Sequence, residues 1–309
     1  MTNRRSRRVL FLMVAAAAFS SMTVVASEAP AGAIKGGTPV ASISSRPYVV
    51  ALYGGTLATL CTGVLIRPAW VLTAGHCVAN ALTKPANESV YAGNTKPGLN
   101  ALVHRTHALA VQKVYRQLGW AKVGADAFVN DIGLVHLAHP LSTPLVAMTQ
   151  PSDALVWDPC GTTRTSTGCT VEDVNVVPPK TVTAVGFGLT CANPLNCSTS
   201  EGYMRSATLN VLSYAQLRLA YPSTPYSGVV NAAHDKMVVG AGVPTGAADT
   251  CGGDSGAPLL ALMHDGHWRV VAITSWATGG CGASPPNGVY MQIGAGPART
   301  WINSIIVNP

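Results

Sequence analysis

The sequence predicts an all-β protein closed by one short C-terminal helix. Three observations carry that prediction. The chain of 309 residues holds 31 glycines and 21 prolines, which punctuate it with turns. Between the turns lie short apolar or alternating runs of strand length. Only the last stretch has a helical period: Pro297 suits a helix start, and Trp301, Ile302, Ile305 and Ile306 then share one face. The length allows one large domain or two small ones.

Taken in order, the chain begins with an export pattern. Arg4, Arg5, Arg7 and Arg8 precede an almost wholly apolar run over residues 9–26. Residues 6–11 also loosely fit a twin-arginine signal. An uncleaved anchor is the alternative, because about 18 residues can barely span a bilayer. The run is rich in Ala and Ser, small residues follow it, and no other segment is long and apolar enough to span. A secreted protein without stable membrane association after signal removal is therefore expected. Residues 1–33 carry four Arg and one Glu, so the net charge of +7 falls to +4 in the remainder, with 16 basic and 12 acidic residues. Those basic residues are scattered, which argues against a nucleic-acid partner.

Residues 47–53 have the β-rich composition of a buried strand. Residues 61–66 and 70–74 read as two more strands joined by Arg67-Pro68, with His76 just past the second. Residues 80–125 are less legible: short Val-containing runs are broken by Gly, Pro and Asn. Asp131 opens an alternating strand over residues 132–137. Residues 138–180 lose periodicity and gather Pro and Cys, as a connection plus an insertion would. Residues 182–188 then begin a second half.

Three short stretches carry chemistry. Residues 249–258, Asp-Thr-Cys-Gly-Gly-Asp-Ser-Gly-Ala-Pro, place Ser255 in a glycine-rich turn that can aim consecutive N–H groups at one point. Residues 72–77 end in Ala-Gly-His-Cys, and residues 130–134 read Asn-Asp-Ile-Gly-Leu. A serine hydroxyl needs a base to take its proton as it attacks. Histidine suits that task because its unperturbed pKa lies near operating pH, and a carboxylate can fix its tautomer. His76, Asp131 and Ser255 supply the three groups. A Gly-rich turn, a lone His or a lone Asp would each ordinarily be a plain surface or core feature; their joint presence argues otherwise. An α/β-hydrolase is excluded by order, since Ala257 takes the final glycine position and the only later acid, Asp265, lies two residues from His267.

These stretches closely resemble the trypsin/chymotrypsin family of serine endopeptidases, from Ile34 to the C-terminal helix. The resemblance implies two packed antiparallel β-barrels, about residues 34–145 and 180–309, with a cleft between them. His76 and Asp131 would come from the first barrel and Ser255 from the second. It also implies an oxyanion hole from the N–H groups of Gly253 and Ser255, and protein or peptide substrates. Asp249 would floor the primary pocket and select Arg or Lys, with Ser275, Trp276, Ala277 and Gly288 lining it. Ala277 departs from the Gly of trypsins, and the segment to Cys281 carries an extra residue. Phe187 stands where the family usually has Trp. Ile34 would be the activated N-terminus, pairing with Asp254; Lys35 replaces a usual aliphatic residue.

Cleavage at Ala33 by signal peptidase would free Ile34 directly. Cleavage at Ala26 would leave a seven-residue propeptide over residues 27–33. A catalytically inactive, protease-like binding protein is the rival class; such relatives usually lose a triad residue, and none is lost here.

Eight cysteines in an exported chain suggest disulfides. Cys61 with Cys77 and Cys251 with Cys281 match family bridges; Cys160 with Cys169 and Cys191 with Cys197 are paired by nearness alone. No Cys-x-x-Cys occurs, and the i, i+3 histidine pairs (His104/His107, His136/His139, His264/His267) lie in turn-rich or strand-like sequence, so neither a metal nor another cofactor is expected. Asn87 and Asn196 open Asn-x-Ser sites that matter only in a glycosylating host.

Overall fold

The computed structural model describes residues 34–54, 59–96, 107–125, 127–153, 180–188, 203–212, 237–241, 248–278, 288–294 and 296–309, with isolated positions at 164–165, 168–169 and within 217–229. The export segment, Cys160, Cys191, Cys197, Cys281 and the side chain of Cys169 fall outside the described residues.

The first half supplies strands β1 (Val49–Gly54), β2 (Thr59–Arg67), β3 (Trp70–Thr73), β4 (Glu88–Tyr91) and β5 (Val111–Arg116). The short hairpin β6 (Ala121–Val123) and β7 (Ala127–Val129) follows, then β8 (Gly133–Leu137). The main sheet runs β4-β1-β2-β3-β8-β5, antiparallel throughout. Leu109 N–H donates to Val90 O at 2.8 Å, just ahead of β5, and so ties the two edges together. Residues on both faces of β1 are buried, because one face fills the barrel and the other is covered. Its Val-rich composition suits such a strand.

The second half supplies β9 (Thr181–Gly186), β10 (Arg205–Leu212), β11 (Met237–Ala241), β12 (Pro258–Leu262), β13 (Trp268–Trp276) and β14 (Gly288–Gln292). Their order is β10-β9-β12-β13-β14-β11, and β11 pairs back onto β10. That closure leaves no open edge in the ring. Residues Thr38–Pro39 pair with β10 from outside, so the segment after Ile34 rides on the second sheet.

Leu52, Val64, Leu72 and Leu134 belong to one hydrophobic cluster; Leu209, Leu259, Val271 and Tyr290 belong to another, which Ile34 joins. Helix α1 (Gly296–Val307) ends the chain and buries Ala298 and Ile302, while Trp301, Ile305 and Ile306 pack half-buried beside it. Pro297 stands at its second position, one residue later than the sequence suggests.

The halves meet at Thr62 on β2. Its N–H donates to Ser255 O at 2.9 Å, its hydroxyl donates to Gly253 O at 3.1 Å, and it accepts from Phe187 N–H at 3.1 Å. One buried threonine thereby fixes the serine turn against the first sheet.

Candidate active site

His76 sits two residues beyond Ala74, where the chain leaves β3. The disulfide Cys61–Cys77, 6.3 Å between Cα atoms, pins the next residue to β2. The His76 ring is 22% exposed and stacks on Phe128 of β7, 4.6 Å between centroids and 14° between planes. Its Nδ1 lies 2.8 Å from Asp131 Oδ2, and its backbone N–H donates to Asp131 Oδ1 at 2.8 Å.

Asp131, just ahead of β8, is completely buried. Ser275 Oγ donates to its Oδ2 at 2.6 Å and Trp120 Nε1 to its Oδ1 at 2.9 Å. Burial by itself pushes a carboxyl pKa up. Here the charge of His76 and the hydrogen bonds from His76, Ser275 and Trp120 outweigh that cost and hold Asp131 below its ordinary value. The carboxylate stays ionised and accepts from Nδ1, which leaves Nε2 of the neutral ring as the basic nitrogen. Cys61, His76 and Cys77 also cluster closely enough for a metal, but both sulfurs are spent in the disulfide.

The serine turn is built from its own backbone. Asp254 N–H donates to Cys251 O at 2.9 Å and Ala257 N–H to Asp254 O at 2.8 Å; Gly256 N–H reaches Thr274 O at 2.8 Å. Gly253 (φ 93) and Gly256 (φ 81) adopt conformations that L side chains rarely hold. A Cβ on Gly253 would meet Gly188 Cα at 2.8 Å. One on Gly256 would meet Thr73 Oγ1 at 2.1 Å and Thr62 O at 2.3 Å. Among the described residues, neither Gly253 N–H nor Ser255 N–H donates to a backbone carbonyl. Gly256→Ala is expected to destabilise the protein by about 3 kcal/mol or more, combining backbone strain with a clash against two strands. Chemical denaturation measures this; a loss under about 1 kcal/mol would contradict the packing described.

Asp254 is fully buried and accepts from Gly188 N–H and Cys251 N–H, each at 2.8 Å. Burial raises its pKa most. Bonds from Cys251, Gly188 and Ile34 N–H pull it down, the charge of Asp249 pushes it up, and the balance lies at about 7. Ile34 is completely buried beside it with φ 58.

Asp249 is 1% exposed, and its N–H donates to Lys35 O at 3.1 Å. Burial pushes Tyr290 and Tyr221 upward, Tyr221 to about 12, and the charge of Asp249 adds to both. The adjacent Thr250 hydroxyl lies 3.0 Å from Tyr290 Oη. Ser275 and Trp276 close β13 opposite β14, where Gly288 begins; a Cβ on Gly288 would meet Tyr290 Oη at 2.7 Å. Trp276 Nε1 donates to Phe128 O at 3.1 Å, and Ala277 follows half-buried. Cys251 is disulfide-bonded, but its expected partner lies outside the described residues.

The residues singled out from sequence thus gather in two groups. His76, Asp131 and Ser275 share hydrogen bonds, and Ile34, Asp249 and Asp254 converge beneath the turn that carries Gly253 and Ser255. Sequence reasoning missed Thr62, Trp120, Phe128 and Tyr290. Thr62 follows Cys61 and Tyr290 lies two residues past Gly288, so each sat beside a recognised position; Trp120 and Phe128 lay in stretches without a pattern.

The family model described as Trypsin matches residues 34–302. Trypsin 5G1 of Aedes aegypti is 28% identical over 274 residues, covering 89% of this chain and 85% of that protein. A trypsin of Saccharopolyspora erythraea is 28% identical over 262 residues, covering 82% and 91%. Vitamin K-dependent protein C of Mus musculus is 25% identical over 262 residues, covering 84% of this chain but 49% of that protein.

Proposed function

Because this chain belongs to the trypsin family and is a serine endopeptidase, we propose that it is exported and cleaves peptide bonds after Arg or Lys through His76, Asp131 and Ser255. The observation that carries the reading is the buried Asp131 carboxylate on His76 Nδ1 at 2.8 Å, beside a serine turn that Thr62 ties to the same barrel. Ser255 Oγ attacks the scissile carbonyl while His76 Nε2 takes its proton. The oxyanion lies against the N–H groups of Gly253 and Ser255. His76 returns the proton to the leaving amine, and an acyl group remains on Ser255. Water, deprotonated by His76, then attacks the acyl carbon; the bond to Ser255 Oγ breaks, Oγ takes the proton back from His76, and the acid leaves. Asp131 keeps the ring in one tautomer and stabilises the imidazolium.

Asp249 supports the choice of a cation. Its buried charge disfavours ionisation of Asp254 nearby, so an entering guanidinium or ammonium offsets that charge as well as pairing with it. Profiling cleavage sites in an unbiased peptide library tests this. Cuts should follow Arg or Lys; a preference for Phe or Leu would overturn the pocket assignment.

Activation at Ile34 has its own support. A β-branched residue at φ 58 crowds the carbonyl of the residue before it. Cleavage before Ile34 removes that carbonyl and frees an ammonium beside Asp254. While Ile34 is still acylated, Asp254 has its pKa raised to about 7, above its unfolded value. The stability it contributes is therefore full below about pH 4 and is lost as pH rises through about 7. The freed ammonium reverses this by favouring the carboxylate. Melting temperatures of Ser255→Ala protein beginning at Ile34, compared with protein beginning at Ser27, should diverge between pH 4 and 8, the shorter form gaining. Parallel curves would contradict the pairing. N-terminal sequencing of the secreted Ser255→Ala protein decides whether signal cleavage falls after Ala33 or after Ala26.

A further inference from the structure

We propose that Trp120 is a positioning residue for the triad, its indole N–H completing the set of donors that fixes Asp131. The inference deepens the triad reading and rests on it. An ionised carboxylate offers about four acceptor sites. On Asp131 the donors are His76 Nδ1 and Ser275 Oγ at Oδ2, and His76 N–H and Trp120 Nε1 at Oδ1. The indole supplies the fourth donor as a neutral group, on a carboxylate that is completely buried.

Its aim is set by the turn that carries it. Gln117 N–H donates to Ile132 O at 2.9 Å, Asn130 Nδ2 donates to Gly119 O at 3.0 Å, and Trp120 N–H closes the turn onto Gln117 O at 3.2 Å. The turn is thus fastened to the residues on either side of Asp131. The Arg116 guanidinium lies 4.1 Å over the indole, and Phe128 lies 5.8 Å from it on the way to His76. Gly75, next to His76, makes the space: a Cβ there would stand 2.8 Å from Trp120 Cδ1. The glycine of the His76 motif and the distant tryptophan are therefore one arrangement.

Removing a neutral donor leaves the Asp131 charge less satisfied, so it holds the His76 imidazolium more strongly. The other ionisable groups around the pair are Arg116 over the indole, Lys122 on β6 opposite Phe128, Tyr221 and Tyr226 against Trp276, and Asp254 behind Ser255; a phenyl ring at position 120 keeps an aromatic face for Arg116 and adds no charge. In Trp120→Phe, the acid limb of kcat/KM is expected to move to higher pH by roughly half a unit, and kcat to fall roughly tenfold with KM within about twofold. Trp120→Gln, which keeps a neutral side-chain N–H, should recover part of both. Should Trp120→Phe not fold, Trp120→Leu, which also lacks the N–H, should move the limb in the same direction.

An acid limb that stays in place in whichever variant folds overturns the inference. The two readings fail differently. Unmodified, processed enzyme whose Ser255 takes no fluorophosphonate overturns the triad and this inference with it. Labelled, active enzyme with an unmoved limb overturns this inference alone.

Discussion

Ser255→Ala is expected to lower kcat by roughly five to six orders of magnitude while leaving the fold intact. The loss is large because the hydroxyl is the only group that forms the acyl bond; oxyanion donors and substrate binding alone retain roughly 10³–10⁴-fold over water. The fold should survive because the tertiary bonds at this position belong to the backbone. Thr62 N–H holds Ser255 O at 2.9 Å, and Gly256 N–H holds Thr274 O at 2.8 Å, and alanine keeps both. Paired measurements of ester turnover and melting temperature check this. Near-normal turnover would place the nucleophile elsewhere.

Asp249→Ser carries the second-largest effect, a fall of about three orders of magnitude in kcat/KM for Arg-amide substrates. A guanidinium left without a carboxylate in a buried site forfeits about 3–5 kcal/mol, and each 1.36 kcal/mol is roughly a factor of ten. The same substitution should not weaken the fold. The Asp249 charge raises the pKa of Asp254, so its removal eases the ionisation of that buried carboxyl. Kinetics on matched Arg, Lys and Leu amides, with melting curves alongside, separate the two consequences. An Arg-amide loss of less than about tenfold would take Asp249 out of the pocket floor.

What the sequence made legible was local. Strands β2 and β3 were readable because apolar runs lead up to His76, and β8 because Asp131 opens an alternating run. The final helix was readable from the spacing of Trp301, Ile302, Ile305 and Ile306. Residues 80–125 resisted because β6 has three residues and a largely exposed side-chain pattern, so no periodicity can develop. Thr62 and Trp120 were invisible for another reason. Their importance lies in contacts with Ser255, Gly253 and Asp131, which no local pattern encodes. Gly75 illustrates the same limit: its motif was recognised, yet the need for glycine comes from an indole supplied by a later turn and from the Ile132 backbone, 3.1 Å from an added Cβ.

The central claim is that Ser255 is the nucleophile and His76 its base, and covalent labelling tests it most directly. Processed protein should take up one fluorophosphonate, and peptide mapping should locate it on Ser255. His76→Ala should slow that labelling by several orders of magnitude without unfolding the protein. An adduct on another residue, or no adduct on folded protein beginning at Ile34, would contradict the account.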